Sequence, residues 1–218
     1  MNDVTTNLWL IEGLPGAGKT SLAKDIAEQR QAEGASARWW LEEDRDHPVL
    51  PAALRKQSAA SNFPDLCLNA FARFIAVEEG DLILEGSAFQ STVRFMFANA
   101  REPVVVSDYV DHWCRVVTPA QARLVYLTIS QPKPHFEDIC RVRGAEWSQK
   151  LIAYIERTPI AQAQRWSGFE GFVAFWEAYQ DLCLNLLDRM TIPVSRLPAK
   201  LGADHLRLAA LSHLTASA

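Results

Sequence analysis

The residues best suited to chemistry lie near the amino terminus, in the segment 13–20, Gly-Leu-Pro-Gly-Ala-Gly-Lys-Thr. This segment fits the spacing G-x-x-x-x-G-K-[ST] of a phosphate-binding loop. Glycines let the backbone turn so that successive N–H groups point at one anion, and a helix start adds unpaired donors and a partial positive charge. The pattern therefore predicts a loop that binds the phosphates of a nucleotide.

The residues around this segment support the same interpretation. Residues 8–12 are nearly all apolar, which predicts a strand buried on both faces, and residues 21–33 show the periodicity of an amphipathic helix. A glycine-rich turn that binds nothing is the alternative, and these flanks argue against it. Lys19 is predicted to reach the terminal phosphates and the Thr20 hydroxyl to ligate Mg²⁺. The other predicted nucleotide-binding residues are Gly13, Pro15, Gly16, Ala17, Gly18 and Ser21.

Carboxylates follow two later apolar segments that are predicted to be strands. Residues 37–41 lead into Glu42, Glu43 and Asp44, and residues 81–87 contain Glu85. Ligands of open α/β sheets bind at the carboxyl ends of the strands, so these acids are expected beside the loop. Glu85 is predicted to bind magnesium or to be catalytic, and Glu43 is preferred as the catalytic acid after the second strand. A solvated acidic turn is the alternative for residues 42–44.

Two arginines lie in a helical segment that is interrupted by a glycine. Residues 136–143 end in Arg141 and Arg143, and Gly144 separates them from a second helical pattern over 147–155. This arrangement suits a mobile lid, at about residues 133–165, whose arginines close on phosphates. A solvated helix face is the alternative. Residues 89–97 are also predicted to be helical, and Gln90 and Arg94 belong either to a substrate cavity or to ordinary packing.

The remaining periodicities predict a parallel sheet covered by helices. They indicate further strands over 123–129 and 192–197 and helices over 65–79, 104–117, 169–190 and 204–214, with a short helix possible at 52–58. Strand is an open alternative for the first half of 104–117. Gly80 is expected to end the helix 65–79, and Asp204 to cap the last one. The alternation predicts one α/β domain over 1–218, a five-stranded parallel sheet flanked by helices on both faces, with a helical lid.

Composition excludes several classes of function. The 218 residues carry a formal net charge of −4, which gives no reason to expect a nucleic-acid partner. The four cysteines are far apart and the histidines lack ligand spacing, so neither disulfides nor a zinc site are expected. No apolar run reaches membrane-spanning length, and residues 1–4 lack the basic start of a signal peptide. A cytoplasmic protein without a membrane partner is expected.

The loop together with this order of elements resembles the P-loop small-molecule kinases of the nucleoside and nucleotide kinase superfamily, deoxynucleoside and thymidylate kinases in particular. The resemblance implies ATP and Mg²⁺ as cofactors, arginines from a lid, and a carboxylate after the second strand as base, a place taken by Glu42, Glu43 or Asp44. The acid-Arg-Ser triplet of such kinases is Glu85-Gly86-Ser87 here and lacks its arginine. Residues 197–201 correspond to their adenine-binding loop. Such kinases commonly dimerise, so a homodimer is an expectation.

The predicted function is an ATP-dependent phosphotransferase that moves the γ-phosphate to a hydroxyl of a small molecule. Its predicted catalytic residues are Lys19, Glu43, Glu85 and Arg141. Arg141 and Arg143 are predicted to contact the nucleotide together with the loop residues. The predicted metal ligands are Thr20 and Glu85. A nucleotide-binding regulatory ATPase module is the alternative. A nucleoside, a sugar and an antibiotic-like molecule all remain candidate acceptors, in a cleft expected to be lined by Trp39, Trp40, Phe89 and Phe97.

Overall fold

The computed structural model describes residues 6–216, so residues 1–4, on which the signal-peptide expectation rests, lie outside it. Within this range the strands form one five-stranded parallel sheet in the order β2-β3-β1-β4-β5. The strands are β1 (Thr6–Gly13), β2 (Ala37–Trp40), β3 (Gly80–Glu85), β4 (Arg123–Thr128) and β5 (Val194–Pro198). The predicted α/β fold with a five-stranded parallel sheet is confirmed.

Helices connect every pair of successive strands, as parallel pairing requires. They are α1 (Lys19–Ala32), α2 (Ala52–Arg55), α3 (Phe63–Val77), α4 (Arg94–Ala98), α5 (Pro103–Val117), α6 (Pro132–Arg143), α7 (Ala145–Glu156), α8 (Pro159–Gln164), α9 (Gly168–Leu187) and α10 (Ala203–Leu214). A π-helical turn (Ala88–Val93) precedes α4, and a 3₁₀ turn (Thr118–Ala120) follows α5. None of the helices within 6–216 has both the length and the apolar character needed to cross a bilayer.

The register of the sheet determines which residues meet at its carboxyl edge. The central strand β1 pairs with β3 so that Ile11 lies opposite Glu85, and β2 pairs with β3 so that Trp40 lies opposite Leu84. The loop after β1, the end of β3 and the turn after β2 therefore adjoin one another. The apolar residues of β1 are fully buried because helices cover both faces, as the uninterrupted run predicted.

Two details differ from the sequence-based expectations, the end of α3 and the N-cap of α10. Helix α3 ends at Val77, whose side chain is 76% exposed, because Glu78 is extended and leads the chain into the sheet. Gly80 therefore begins β3 and does not end the helix. Asp204 lies in the first turn of α10, whose N-cap is Gly202. The segment 104–117 is helical throughout, as predicted, so strand is excluded for its first half.

Candidate active site

The phosphate loop lies between the end of β1 and the start of α1, as its pattern predicted. The N–H of Ala17 donates to the carbonyl of Leu14 (3.2 Å), which closes the turn, and Gly18 is the N-cap of α1. A cavity of about 380 Å³, here called the loop cavity, opens over this segment. It is lined by Pro15, Gly16, Lys19, Thr20, Glu43, Gln90, His135, Asp138, Ile139, Val142, Arg143 and Trp147.

The Lys19 side chain is buried at the bottom of the loop cavity, 4% exposed. Its ammonium donates to the Leu14 carbonyl (3.3 Å) and to the side-chain carbonyl of Gln90. The ammonium also lies 3.5 Å from Oε1 of Glu85. An ammonium has three protons to donate, so a phosphate that binds Lys19 has to compete with one of these partners.

Glu85 connects the end of β3 to the turn after β2. Its carboxylate is buried, and Oε2 accepts the backbone N–H of Glu42 (3.0 Å). The next residue is Gly86, with φ +66°, and a Cβ on it would lie 2.7 Å from Oε2 of Glu42. The glycine that replaces the arginine of the resembled triplet therefore leaves the space in which the Glu42 carboxylate lies.

The three acids after β2 have different surroundings. Asp44 is exposed, and its carboxylate accepts the N–H of Leu41 (3.0 Å), so it stabilises its own turn. Glu43 is exposed and lines the loop cavity. Burial raises the pKa of Glu42 to about 7, with Glu85 and Glu43 adding to the shift and Lys19 and Arg94 opposing it. A carboxyl group with a pKa near neutrality can exchange a proton at physiological pH.

A second cavity of about 380 Å³, here called the side cavity, adjoins the loop cavity. The two share Pro15, Glu43, Gln90 and Trp147. The rest of the side cavity is lined by Glu42, Arg94, Phe95, Leu151, Tyr154 and Trp176. Gln90 and Arg94 thus line a cavity, one of the two alternatives that the sequence left open.

The aromatic wall of the side cavity differs from the predicted one. Phe89 is buried against Tyr126, and Phe97 packs against Phe175. Trp40 contacts Phe74, while Trp39 is half-buried against the core. The predicted four residues serve packing because their strands and helices turn them inward. The observed aromatic residues come from α4, α7 and α9.

Arg94 is fixed at the wall of the side cavity by its neighbours. Its Nε donates to the Gln90 carbonyl (2.6 Å) and its Nη1 to the Tyr154 hydroxyl (3.1 Å). The guanidinium carbon lies 4.3 Å from the ring centroid of Phe95. Within residues 6–216, no carboxylate forms an ion pair with Arg94. Its positive charge is therefore directed at the cavity and at Glu42.

Helix α6 lies directly on the phosphate loop. His135 Nε2 donates to the Pro15 carbonyl (2.9 Å), and a Cβ on Gly16 (φ +76°) would lie 2.1 Å from Cδ1 of Ile139. A side chain at position 16 would thus separate the helix from the loop. The region predicted to form a lid consists of α6, α7 and α8; its mobility stays a prediction.

The two arginines of α6 point to different surroundings. Arg143 lines the loop cavity, with its guanidinium carbon 5.8 Å from the ring centroid of Trp147. Arg141 is exposed, pairs with Asp138 (2.7 Å), and lines neither cavity. The predicted phosphate contacts of both arginines stay predictions, and Arg143 is the nearer of the two to the loop.

Glu12, which the sequence analysis did not select, lies in β1 immediately before the loop. It is fully buried, and its carboxylate accepts the N–H groups of Ala88 (2.7 Å) and Gln90 (3.1 Å). The only signal in the sequence was an acid that ends an otherwise apolar run. The role of this acid becomes visible only in the fold, where the π-helical turn lies beside its carboxylate.

His47, also missed, connects the turn after β2 to the end of β3. Its Nδ1 accepts the N–H groups of Val49 (3.3 Å) and Leu50 (3.1 Å), so Nε2 carries the proton and donates to Ser87 Oγ (3.2 Å). Burial lowers the pKa of His47 to about 4, and the charge of Arg55 adds to this. Nothing in the sequence distinguished this histidine from an exposed loop residue.

The residues present fit a magnesium ion bound mainly by a nucleotide. Mg²⁺ usually keeps several waters and takes one or two protein oxygens besides substrate phosphates, so it does not need an all-protein cluster. No group of three metal-binding side chains occurs in the described part of the chain. Thr20 is exposed in the loop cavity and Glu85 lies beside Lys19, so both remain the predicted ligands.

Comparison with protein-family models and with curated proteins gives no match. Among solved structures, a deoxyadenosine kinase from M. mycoides with bound dATP is similar: 16% identity, 95% of this chain and 99% of that chain covered, TM-score 0.50. A shikimate kinase from Bacteroides thetaiotaomicron shows 16% identity, 96% and 97% coverage and a TM-score of 0.49. YorR from Bacillus subtilis, in complex with phosphorylated GDP, shows 11% identity, coverage of 96% of this chain and 99% of that chain, and a TM-score of 0.47.

The likeness to the deoxyadenosine kinase extends over nearly the whole chain, and it concerns the fold. The predicted resemblance to P-loop nucleoside kinases is confirmed at the level of the fold. The chain has the P-loop α/β fold, with the phosphate loop at its expected place after β1.

Proposed function

We propose that the protein is an ATP-dependent phosphotransferase that moves the γ-phosphoryl group of ATP to a hydroxyl of a small molecule. The observation that supports this best is the junction of two cavities at Gln90, whose side chain contacts Lys19. One cavity opens over a phosphate loop, and the other contains a carboxyl group with a near-neutral pKa. A regulatory ATPase has no need of the second cavity.

In this proposal the loop cavity binds the phosphates of ATP. The N–H groups of the loop and the Lys19 ammonium contact the β- and γ-phosphates, and Arg143 approaches from α6 with Arg141 as the second candidate. When bound, Mg²⁺ at Thr20 and Glu85 neutralises phosphate charge. A phosphate takes the donor that Lys19 directs at Glu85, the longest of its three contacts at 3.5 Å, while Gln90 keeps the ammonium in place.

The side cavity binds the acceptor, and Glu42 is the proposed base. The acceptor hydroxyl gives its proton to the Glu42 carboxylate, its oxygen bonds to the γ-phosphorus, and the bond to the bridging oxygen breaks, leaving ADP. Sequence favoured Glu43, which also lines both cavities. Glu42 is preferred because it is more buried and its raised pKa suits proton exchange.

The remaining expectations belong to the same proposal. Helices α6 to α8 act as a lid, because α6 contacts the loop through two side chains and α7 supplies part of both cavity walls. A homodimer is carried over from the resemblance alone. A cytoplasmic site of action agrees with an ATP requirement and with four unpaired cysteines.

Turnover with a panel of acceptors tests the proposal. The chain is incubated with ATP or GTP and with deoxynucleosides, sugars or amino alcohols, and both nucleoside diphosphate and phosphorylated acceptor are measured. Deoxynucleosides come first because the similar deoxyadenosine kinase is named for one. One acceptor class is expected to accelerate ADP release by about tenfold or more over the basal rate. Nucleotide binding without acceleration by any acceptor would favour the regulatory module.

A further inference from the structure

Gln90 occupies a special place between the two cavities. Its side-chain carbonyl accepts from the Lys19 ammonium, and its backbone carbonyl accepts from Arg94 Nε (2.6 Å). It also lines both cavities. This one residue therefore contacts both the Lys19 cation of the loop cavity and the Arg94 cation of the side cavity.

The backbone of Gln90 is in turn fixed by Glu12. Both carboxylate oxygens are used: Oε1 accepts the Ala88 N–H (2.7 Å) and Oε2 accepts the Gln90 N–H (3.1 Å). These two N–H groups lie in the π-helical turn Ala88–Val93. π-Helical turns are rare in proteins, and many of those that occur lie at functional sites. Glu12 itself lines neither cavity, so its influence on bound ligands passes through Gln90.

We infer that Glu12 is a positioning residue, which fixes Gln90 at the junction of the cavities and thereby places the Lys19 ammonium for nucleotide phosphates. The inference rests on the proposed function only in that the loop binds a nucleotide. It assigns a role to a buried acid that does not contact substrate.

The electrostatics of Glu12 agree with a functional role. Burial raises its pKa to about 7, although the N–H groups of Ala88 and Gln90 and the charge of Lys19 oppose the shift. Other titratable groups near it come from three packed elements: Tyr109 of α5, Tyr126 of β4, and Tyr179 and Cys183 of α9. An acid buried among such neutral groups lowers stability, and perturbed acids of this kind concentrate at functional sites.

A second buried acid of the same sheet supplies a matched control. Asp81, 4% exposed, lies at the opposite end of the strands, in β3. Its carboxylate accepts from Asn7 Nδ2 (2.7 Å) and from Arg30 Nε (2.8 Å), far along the sheet from the loop. Asp81→Asn therefore perturbs a buried hydrogen-bonded carboxylate without touching the turn that contains Gln90.

The test compares Glu12→Gln with Asp81→Asn by equilibrium binding of a non-hydrolysable ATP analogue. Glutamine turns an N–H₂ group toward one of the two backbone donors, so Gln90 shifts and Kd for the analogue rises about tenfold. Asp81→Asn is expected to change that Kd by less than about twofold. A merely destabilised protein has fewer active molecules but an unchanged Kd, so the readout separates positioning from structural loss.

Two further variants complete the design. In Glu12→Asp the side chain is one methylene too short for its carboxylate to reach both donors, so this variant should also weaken binding of the analogue. Glu12→Asp replaces Glu12→Gln in the test if Glu12→Gln does not fold. Adding Glu12→Gln to Gln90→Ala should weaken binding no further than Gln90→Ala alone, because the two act through one contact. An unchanged Kd in the Glu12 variants, an equal loss in Asp81→Asn, or additive losses in the double variant would each overturn the inference. Since no acceptor is present, failure to find an acceptor leaves this result standing.

Discussion

The two cavities of the site are built in different ways. The floor of the loop cavity is a single run of residues, 13–20, whose conformation depends mainly on its own glycines and on the start of α1. The side cavity has no such run, because most of its walls come from the turn after β2, the π-helical turn, α4, α7 and α9. The proposed nucleotide site is thus encoded locally, whereas the proposed acceptor site depends on how distant segments pack.

This difference separates two kinds of variant. Changes in the loop should affect nucleotide binding and turnover with any acceptor. Changes in the side cavity should affect transfer to the acceptor and leave nucleotide binding intact. The variants below test that separation.

The largest effect is expected for Lys19→Ala. The variant loses the only loop side chain predicted to contact the terminal phosphates, so ATP turnover should fall by about 100-fold or more while the far-ultraviolet circular dichroism stays that of the wild type. Lys24→Ala is the control, because Lys24 is exposed on the same helix and, within residues 6–216, its one ion pair is with Glu28. Unchanged turnover in Lys19→Ala would contradict the nucleotide role of the loop.

The next effect concerns the side cavity and its acid. Glu42→Gln removes the proposed base while keeping the shape of the side chain, so kcat should fall by roughly 100- to 10,000-fold with no change in Kd for the ATP analogue. The measurement is steady-state transfer to the acceptor together with analogue binding.

Glu43→Gln is the matched control for that variant. Glu43 lies one residue away and lines both cavities, but it is more exposed. A larger kcat loss in Glu43→Gln than in Glu42→Gln would return the base to the residue that the sequence favoured. Equally small losses of kcat in Glu42→Gln and Glu43→Gln would contradict the proposal that an acid of this turn is the general base.

A smaller effect is expected for Arg94→Ala. The variant removes the Arg94 cation from the side cavity together with its bond to Tyr154, so KM for the acceptor should rise by about tenfold. Arg101→Ala is the comparison, since Arg101 is also half-buried near α4 but donates to the Ala60 carbonyl outside both cavities. An acceptor KM that rises equally in the two variants would mean that Arg94 acts through packing alone.

The same contrast explains what the sequence revealed. Local patterns sufficed for the phosphate loop, for the five strands and for Glu85 at a strand end, since each depends on residues adjacent in the chain. The aromatic wall was assigned to Phe89 and Phe97, because periodicity says that a residue is buried and not which partner buries it. Trp147 and Tyr154 reach the side cavity only through the packing of α7 beside α9, which no local pattern encodes.

Single polar residues with long-range partners were the hardest to foresee. Glu12 and His47 matter through backbone N–H groups that lie elsewhere: Glu12 reaches residues more than 70 positions away, and His47 reaches Ser87 across 40 positions. The sequence shows that Gly86 takes the place of the arginine in the acid-Arg-Ser triplet. Its consequence, room for the Glu42 carboxylate, required the fold.

The final prediction concerns the stability of the turn that places Glu42. The pKa of His47 is lowered from 6.5 to about 4, so the imidazole stays neutral in the folded state while it takes a proton in the unfolded chain. The unfolded state thus binds more protons between pH 6.5 and pH 4, and the free energy of unfolding falls as the pH is lowered through that window. The loss attributable to His47 is about 3 kcal/mol at pH 4.

Buried carboxyls act in the opposite direction, so the wild-type curve alone does not isolate His47. Glu12 and Glu42, with pKa values raised to about 7, bind protons in the folded state first and favour folding as the pH falls from 7 towards 4.5. The useful quantity is the difference between wild type and His47→Gln, measured by urea unfolding from pH 7 to pH 4. As the pH falls, the free energy of unfolding of His47→Gln should rise relative to that of the wild type. His112→Gln, at an exposed position of α5, is the control and should follow the wild type throughout. Parallel curves for His47→Gln would mean that protonation of His47 does not break the contact between the turn after β2 and the end of β3.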